Sequence, residues 1–310
     1  MEKERARQVL SAVLIVWLTI LLSINFAKRK KSKTALHRDG KTTVRLRLKE
    51  ITKISPDTKI LRFALPSDDY VFGLPCGSHC MLQVFDEVKK ENVMRPYTPI
   101  SSDATDKGFV DFVVKVYYPT KEFPEGGKVT QLLDKVKEGE DVVEFFGPVG
   151  RKRYRGNGMF TIERLKSQGG GEEKRYAENV GMIAGGSGIT PMLQICREML
   201  RESTKFPKSI SILYANKSED DILCKDQLDK FESEFADRVK VWYTVDKAKA
   251  SSSSWKYDTG FITKEMIEKH MPKSGPKTQI LCCGPPAMMK FAVLPAFEQL
   301  GYDSTMYLTW

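Results

Sequence analysis

The chain has 310 residues, 41% of them apolar and 29% charged, with a formal net charge of +10. That is ordinary globular composition and enough length for two domains with real cores, preceded by something shorter. Of the surplus charge, +6 falls in residues 1–33 and the rest is spread thinly, which excludes the concentrated basic face of a nucleic-acid binder and suits docking to a modestly acidic protein.

Residues 9–27 are uncharged and mostly apolar. At about 1.5 Å per residue they reach roughly 28 Å, a bilayer's hydrocarbon thickness, and predict an N-terminal transmembrane helix. A cleaved signal peptide is the alternative, but a basic cluster follows the span where a small-residue cleavage site belongs. Lys28, Arg29, Lys30, Lys31 and Lys33 outweigh Lys3, Arg5 and Arg7, so the positive-inside rule predicts a cytosolic body.

Residues 34–40 read as a polar linker. From Thr42 short strands recur, beginning with apolar Val44, Leu46 and Leu48 against charged Arg45, Arg47 and Lys49. Further runs at 60–65, 80–85, 109–118 and 141–146, split by turn residues, predict an antiparallel β-barrel over 41–155. Within it only 129–137 reads as helix. Residues 156–178 read as a connector.

From Asn179 the rhythm changes. Strands are predicted at 180–184, 209–214, 239–245 and 279–283, with helices at 190–202, 225–235, 264–270 and 287–300 and a flexible serine loop at 251–254. Alternating strands and helices predict an α/β parallel sheet over 179–310. The six cysteines form no disulfide framework, and free thiols fit a reducing compartment. Cys76-Gly-Ser-His-Cys80 holds metal-type ligands but has no second pair elsewhere, so no metal is predicted. Three histidines, His37, His79 and His270, do not suggest a bis-histidine haem.

The strongest local signal is Val180-Gly-Met-Ile-Ala-Gly-Gly-Ser-Gly-Ile-Thr-Pro-Met192. An apolar strand, a turn with Gly185, Gly186 and Gly188, and Thr190-Pro191 as N-cap and first helical residue make an anion site at a helix start. A tight turn without ligand remains the alternative, because the third glycine of the dinucleotide fingerprint is missing.

Four motifs in order are Arg95-Pro-Tyr-Thr-Pro-Ile-Ser101, Gly126-Gly-Lys-Val-Thr-Gln131, Gly185-Gly-Ser-Gly-Ile-Thr-Pro191 and Cys283-Gly-Pro-Pro-Ala-Met288. With Trp242-Tyr-Thr-Val-Asp246 between the last two, the chain from Val44 onward resembles the NADH–cytochrome b5 reductases of the ferredoxin-reductase superfamily.

The resemblance implies FAD and NADH as cofactors and cytochrome b5 as electron acceptor. It assigns Arg95 to the FAD pyrophosphate, which a guanidinium suits. It places Tyr97 against the flavin, Thr98 near its reactive nitrogen, and Pro96 and Ser101 in the same binding strand. Val114, Lys115 and Tyr117 match a flavin-lining strand, with barrel core as the alternative for Val114. Gly126, Gly127, Lys128, Val129 and Thr130 match a phosphate cradle, and His79 a histidine of structural role.

On the nicotinamide side it implies Gly185, Gly186, Gly188, Thr190 and Pro191, then Cys283, Gly284, Pro285 and Met288. A buried small residue is the alternative for Cys283. Asp246 would accept the adenosine ribose hydroxyls and repel the 2′-phosphate of NADPH; an Asp opening a surface turn is the alternative. Thr98, Thr190 and Cys283 are the residues expected nearest the chemistry. The chain ends in Trp310 where the family commonly ends in phenylalanine, so the role of its indole is open. The membrane is expected to be the endoplasmic reticulum or the mitochondrial outer membrane. Another acceptor, a quinone or a desaturase or hydroxylase system, and an inactive scaffold are the rival functions.

Overall fold

Alternating apolar residues build the first sheet. In a computed structural model, which describes Trp17 and residues 32–310 apart from Arg38, Glu122, Ser203 and residues 250–254, strands β1 (Val44–Ser55), β2 (Thr58–Ala64), β3 (His79–Asp86), β4 (Glu91–Tyr97) and β5 (Phe109–Lys115) are joined, past helix α1 (Lys128–Asp134), by β6 (Val142–Val149). All pairings are antiparallel and the order is β4-β3-β6-β1-β2-β5. Leu46 and Leu48 face inward while Arg45 and Arg47 face out. Phe63, Phe72, Phe112 and Phe145 interlock at the centre, the last two stacked at 5.4 Å.

The expected barrel does not close by a ladder: β4 and β5 are the outer strands and do not pair. Pro96 and Pro99 remove two donors from that edge, and just past it the Ile100 N–H donates to Asp111 O across the gap.

The segment expected as a connector has strands of its own. β7 (Lys152–Gly156), β8 (Met159–Glu163) and β9 (Glu172–Tyr176) form a small antiparallel sheet. Its Tyr154 and Phe160 are buried in the same cluster as Ile195 and Met199 of the following helix. Ala35 and Leu36, expected in a polar linker, are likewise buried, and their N–H groups donate to Val71 O and Phe72 O.

β10 (Asn179–Gly185) opens the second large sheet, followed by α2 (Ile189–Arg201), β11 (Ser209–Asn216), α3 (Lys225–Glu234), β12 (Val239–Val245), β13 (Asp258–Thr259), α4 (Lys264–His270), β14 (Thr278–Cys283), α5 over residues 286–299 with a π turn at Met289–Val293, and β15 (Tyr307–Thr309). All pairings are parallel, in the order β13-β12-β11-β10-β14-β15. Central β10 is buried on both faces, as its apolar run requires.

The predicted transmembrane helix at 9–27 lies, Trp17 apart, outside the described residues, as does the serine loop. Among the described residues no helix is long and apolar enough to cross a membrane.

Candidate active site

A cavity of about 780 Å³ runs between the antiparallel and parallel sheets. One wall is the end of β4 and the residue after it. Arg95 is exposed there, with Nη1 donating to Met94 O at 2.7 Å. Pro96, Tyr97 and buried Thr98 complete the wall. Tyr97 packs edge-on to Phe112 at 6.2 Å, and burial pushes its phenol up.

Ser101 is not in this wall: its hydroxyl accepts the Asp111 N–H at 3.0 Å, tying the chain after β4 to β5. Strand alternation favours the core alternative for Val114. Val113 and Lys115 share the cavity face of β5, whereas Val114 points to the opposite face and is core.

The next wall is the start of α1. Gly126, Gly127, Lys128, Val129 and Thr130 line it beside Tyr117. The helix has no side-chain cap, leaving first-turn amides for a ligand. A Cβ on Gly127 would lie 2.4 Å from Thr130 Oγ1. That hydroxyl donates to Gly127 O and accepts the Tyr117 N–H at 3.2 Å, so Thr130 fixes the cradle's shape.

The opposite wall belongs to the parallel sheet. Gly186–Gly188 is a tight 3-10 turn, and α2 already begins at Ile189. Thr190 is therefore inside the first turn rather than an N-cap, and its hydroxyl donates to Ser187 O at 3.2 Å. Pro191 follows it there, where amides have no helical partner and a missing N–H costs nothing. Gly188 sits against the other loop: a Cβ there would lie 2.1 Å from Cys283 O.

Gly185 and Gly284 both press on Met288, and these three, with Gly186, stand behind the cavity surface while Cys283 and Pro285 reach it. Burial raises the Cys283 thiol to about 11 against the opposing effect of Lys152, so it is a neutral thiol at physiological pH.

Sequence reasoning missed Lys152 and left His79 and Trp310 without a place in the lining. Lys152 points in from β7 and donates to Thr309 O. His79 also lines the cavity, its basicity lowered by burial and by Arg153 and Lys152. Trp310 lines it as well: its backbone N–H donates to Cys282 O at 2.9 Å and its indole Nε1 to Gly77 O at 3.0 Å. The apolar step at Val113 and the flanking glycines were the available signals.

Asp246 lies outside this cavity, one residue past β12 on the carboxyl edge. Beside it, at the end of β11, Asn216 is buried with its side chain against the Tyr214 hydroxyl, and its backbone O accepts the Asp246 N–H at 3.0 Å. A buried amide beside a carboxylate on this edge fits a ribose.

These residues fit FAD and NADH. Arg95 and Lys128 with uncapped amides suit a pyrophosphate, and Tyr97, Val113 and Pro191 give flat apolar walls. The chain matches the Oxidoreductase FAD-binding domain model over residues 45–154 and the Oxidoreductase NAD-binding domain model over 182–293. It is 43% identical to NADH-cytochrome b5 reductase 3 of Mus musculus over 298 residues, 95% of both chains. With NADH-cytochrome b5 reductase 1 of Bos taurus it shares 40% over 299 residues, 96% of this chain and 95% of that one. The solved cytochrome b5 reductase domain of Ulva prolifera nitrate reductase superposes with a TM-score of 0.80 at 35% identity, covering 89% of this chain and all of that one. An enzyme whose two sheets close on one cavity fit for a flavin and a nicotinamide, and whose sequence tracks these relatives over most of its length, belongs to the NADH–cytochrome b5 reductase family.

Proposed function

We propose that this FAD- and NADH-dependent oxidoreductase delivers electrons singly to cytochrome b5, from a membrane anchor formed by residues 9–27. The observation that carries this reading is the single cavity shared by the Arg95–Thr98 wall, the α1 cradle and the Thr190–Cys283 wall. FAD, when bound, supplies the conversion of a two-electron hydride donor into a source of single electrons.

The chain's own part is holding and orienting. Arg95 and Lys128 hold pyrophosphate charge. Tyr97 and Thr98 fix the ring's place on one side, while Thr190 and neutral Cys283 bound the nicotinamide side. Asp246 and Asn216 take the adenosine ribose. Rate then comes mainly from proximity and orientation of the two bound rings.

The names of the relatives support cytochrome b5 as acceptor. The uncharged span with its basic flank supports a cytosol-facing body on the endoplasmic reticulum or mitochondrial outer membrane. The test is stopped-flow reduction of cytochrome b5 by the FAD-loaded full chain with NADH, at rising ionic strength. Electrostatic docking predicts a rate that falls with salt, while reduction of a neutral quinone stays level. Failure to reduce cytochrome b5 while reducing the quinone rejects the acceptor. Imaging of the tagged full chain tests the membrane.

A further inference from the structure

A second cavity, of about 700 Å³, opens where β10, β11 and β14 begin, at Asn179, Ser209 and Thr278. It lies at the amino edge of the parallel sheet, roughly six residues of strand or about 20 Å from the carboxyl edge that meets the cofactor cavity.

Interior parallel strands are covered on both faces and read as unbroken apolar runs. β11 departs from that at this end: Ser209 and Ser211 alternate with buried Ile210 and Ile212 and put hydroxyls into the cavity. The reason is visible in the packing. Met266 and Ile267 of α4 cover Leu213 and Ile183, farther along the same face, and α4 ends at His270. The amino half of the face is left as an open polar floor, with Lys240 beside Ser211 across the ladder.

The walls are aromatic and basic. Trp242 stacks on His270 at 4.2 Å, with Tyr257 edge-on at 5.2 Å. Each of two rings carries an ammonium: Lys269 Nζ is 5.3 Å from the Trp242 ring and Lys256 Nζ 5.1 Å from the Tyr257 ring. With Lys240 and Lys273 the lining holds four lysines against one carboxylate, Glu232, which already accepts the Val241 N–H at 2.9 Å. Four like charges around a hollow repel one another until an anion enters. His270 Nε2 adds a buried polar atom with no hydrogen-bond partner among the described residues, the nearest carboxylate being Asp258 Oδ2 at 3.9 Å, which already accepts the Trp242 Nε1–H at 2.8 Å.

We infer that this cavity is a binding site, separate from the cofactor site, for a small organic anion carrying a flat ring. The lysines take the charge, the ring lies along the aromatic wall, and Ser211 supplies a hydroxyl, that of Ser209 being already donated to Asn179 Oδ1 at 2.9 Å.

The test is calorimetric titration of 2-naphthyl phosphate into the FAD-loaded full chain held saturated with NAD⁺, with uncharged 2-naphthol as counterpart. The phosphate is expected to bind at a single site and 2-naphthol at least tenfold more weakly. Lys240→Glu with Lys273→Glu, and separately Ser211→Leu, which fills the floor, should each weaken phosphate binding at least tenfold while NADH:ferricyanide activity is unchanged. That activity also reports that the variants fold. No binding, equal binding by the variants, equal binding of 2-naphthol, or displacement by NAD⁺ overturns the inference.

Discussion

Lys115 of β5 holds Asp221, a residue just past β11 in the parallel-sheet half, at 2.7 Å, and holds Asp57 of its own half at the same distance. Its side chain is only 9% exposed, whereas the carboxylates keep 23% and 33%. A residue expected at the flavin thus also ties the two halves together across the cavity.

Replacing Lys115 with Met should leave two like charges facing each other. A fully buried pair broken this way costs about 3–5 kcal/mol; partly wet carboxylates lower that to about 2 kcal/mol. Burial is the largest single influence and would raise Asp221 and Asp57, but the Lys115 hydrogen bond and charge, together with Ser218 on Asp221 and with Ser55 and Thr58 on Asp57, hold both below 3.8; burial would likewise lower Lys115, but the two carboxylates acting together raise it above 10.5. The carboxylates' contribution is present above their unfolded pKa and lost as pH falls through the folded one. The lysine's is present below its unfolded pKa and lost as pH rises past the folded one. Denaturation of wild type and Lys115→Met should therefore differ by a constant amount between pH 5 and 9, shrinking below about pH 4. A difference that vanishes at pH 7 rejects the bridge.

Asp246→Thr should raise kcat/KM for NADPH about tenfold, about 1.4 kcal/mol, and lower it for NADH, with FAD content unchanged. The nearby Lys249 does not cancel the effect, since its ammonium is held 2.7 Å from Asp220. Steady-state kinetics with both cofactors measure it; an unaltered preference removes Asp246 from the ribose site.

Gly188→Ala should be poorly tolerated, because the new methyl meets a backbone carbonyl, Cys283 O, rather than a side chain that can swing away. Overpacking of this kind costs about 1–3 kcal/mol. A lowered Tm together with weakened NAD⁺ binding is the expected pair of results, read by thermal melts and fluorescence titration.

Cys283 should alkylate slowly at pH 7, since a thiol at about 11 has very little thiolate there. The rate with iodoacetamide, followed by mass spectrometry on the peptide, should climb about tenfold per pH unit from 7 to 10. Lys152→Met should slow it further, because Lys152 favours the thiolate.

A chain starting at Thr34 should be soluble and retain NADH:ferricyanide activity if residues 9–27 are the anchor. One starting at Lys41 should be less stable by about 2 kcal/mol, the value of one well-buried leucine, because Leu36 goes with it. Equal Tm values for the two would return residues 34–40 to the role of linker.

Much of this was legible in the sequence because local rules and tertiary needs coincide. β12 spans 239–245 and α4 spans 264–270 as periodicity alone indicates. The motif residues Arg95, Tyr97, Lys128, Thr190 and Cys283 converge on one cavity although 188 positions separate the first from the last. What escaped depends on partners distant in sequence. Met159–Glu163 is a modest strand until Glu172–Tyr176 pairs with it. Val114 and Val113 are indistinguishable by composition, and only the register of β5 with β2 sets which one faces the cofactors. Leu36 looks like a lone apolar residue in a polar stretch until Phe72 accepts its N–H.

The loop between β8 and β9 carries its own consequence. Gly169, Gly170 and Gly171 all take left-handed backbone, and a side chain at any of them would meet nothing within 4 Å. Exposed loop tips of this kind are where proteases cut and insertions are accepted. A nick there would leave β8 on one fragment and β9 on the other, still paired through five residue partners from Met159↔Tyr176 to Glu163↔Glu172. Lys115 to Asp221, and Gln194 to the Gly77 N–H at 2.8 Å, would clasp the fragments as well. The molecule is in that sense two interlocking pieces joined by a dispensable thread, and the two coding halves could be expressed apart and reassembled into one enzyme.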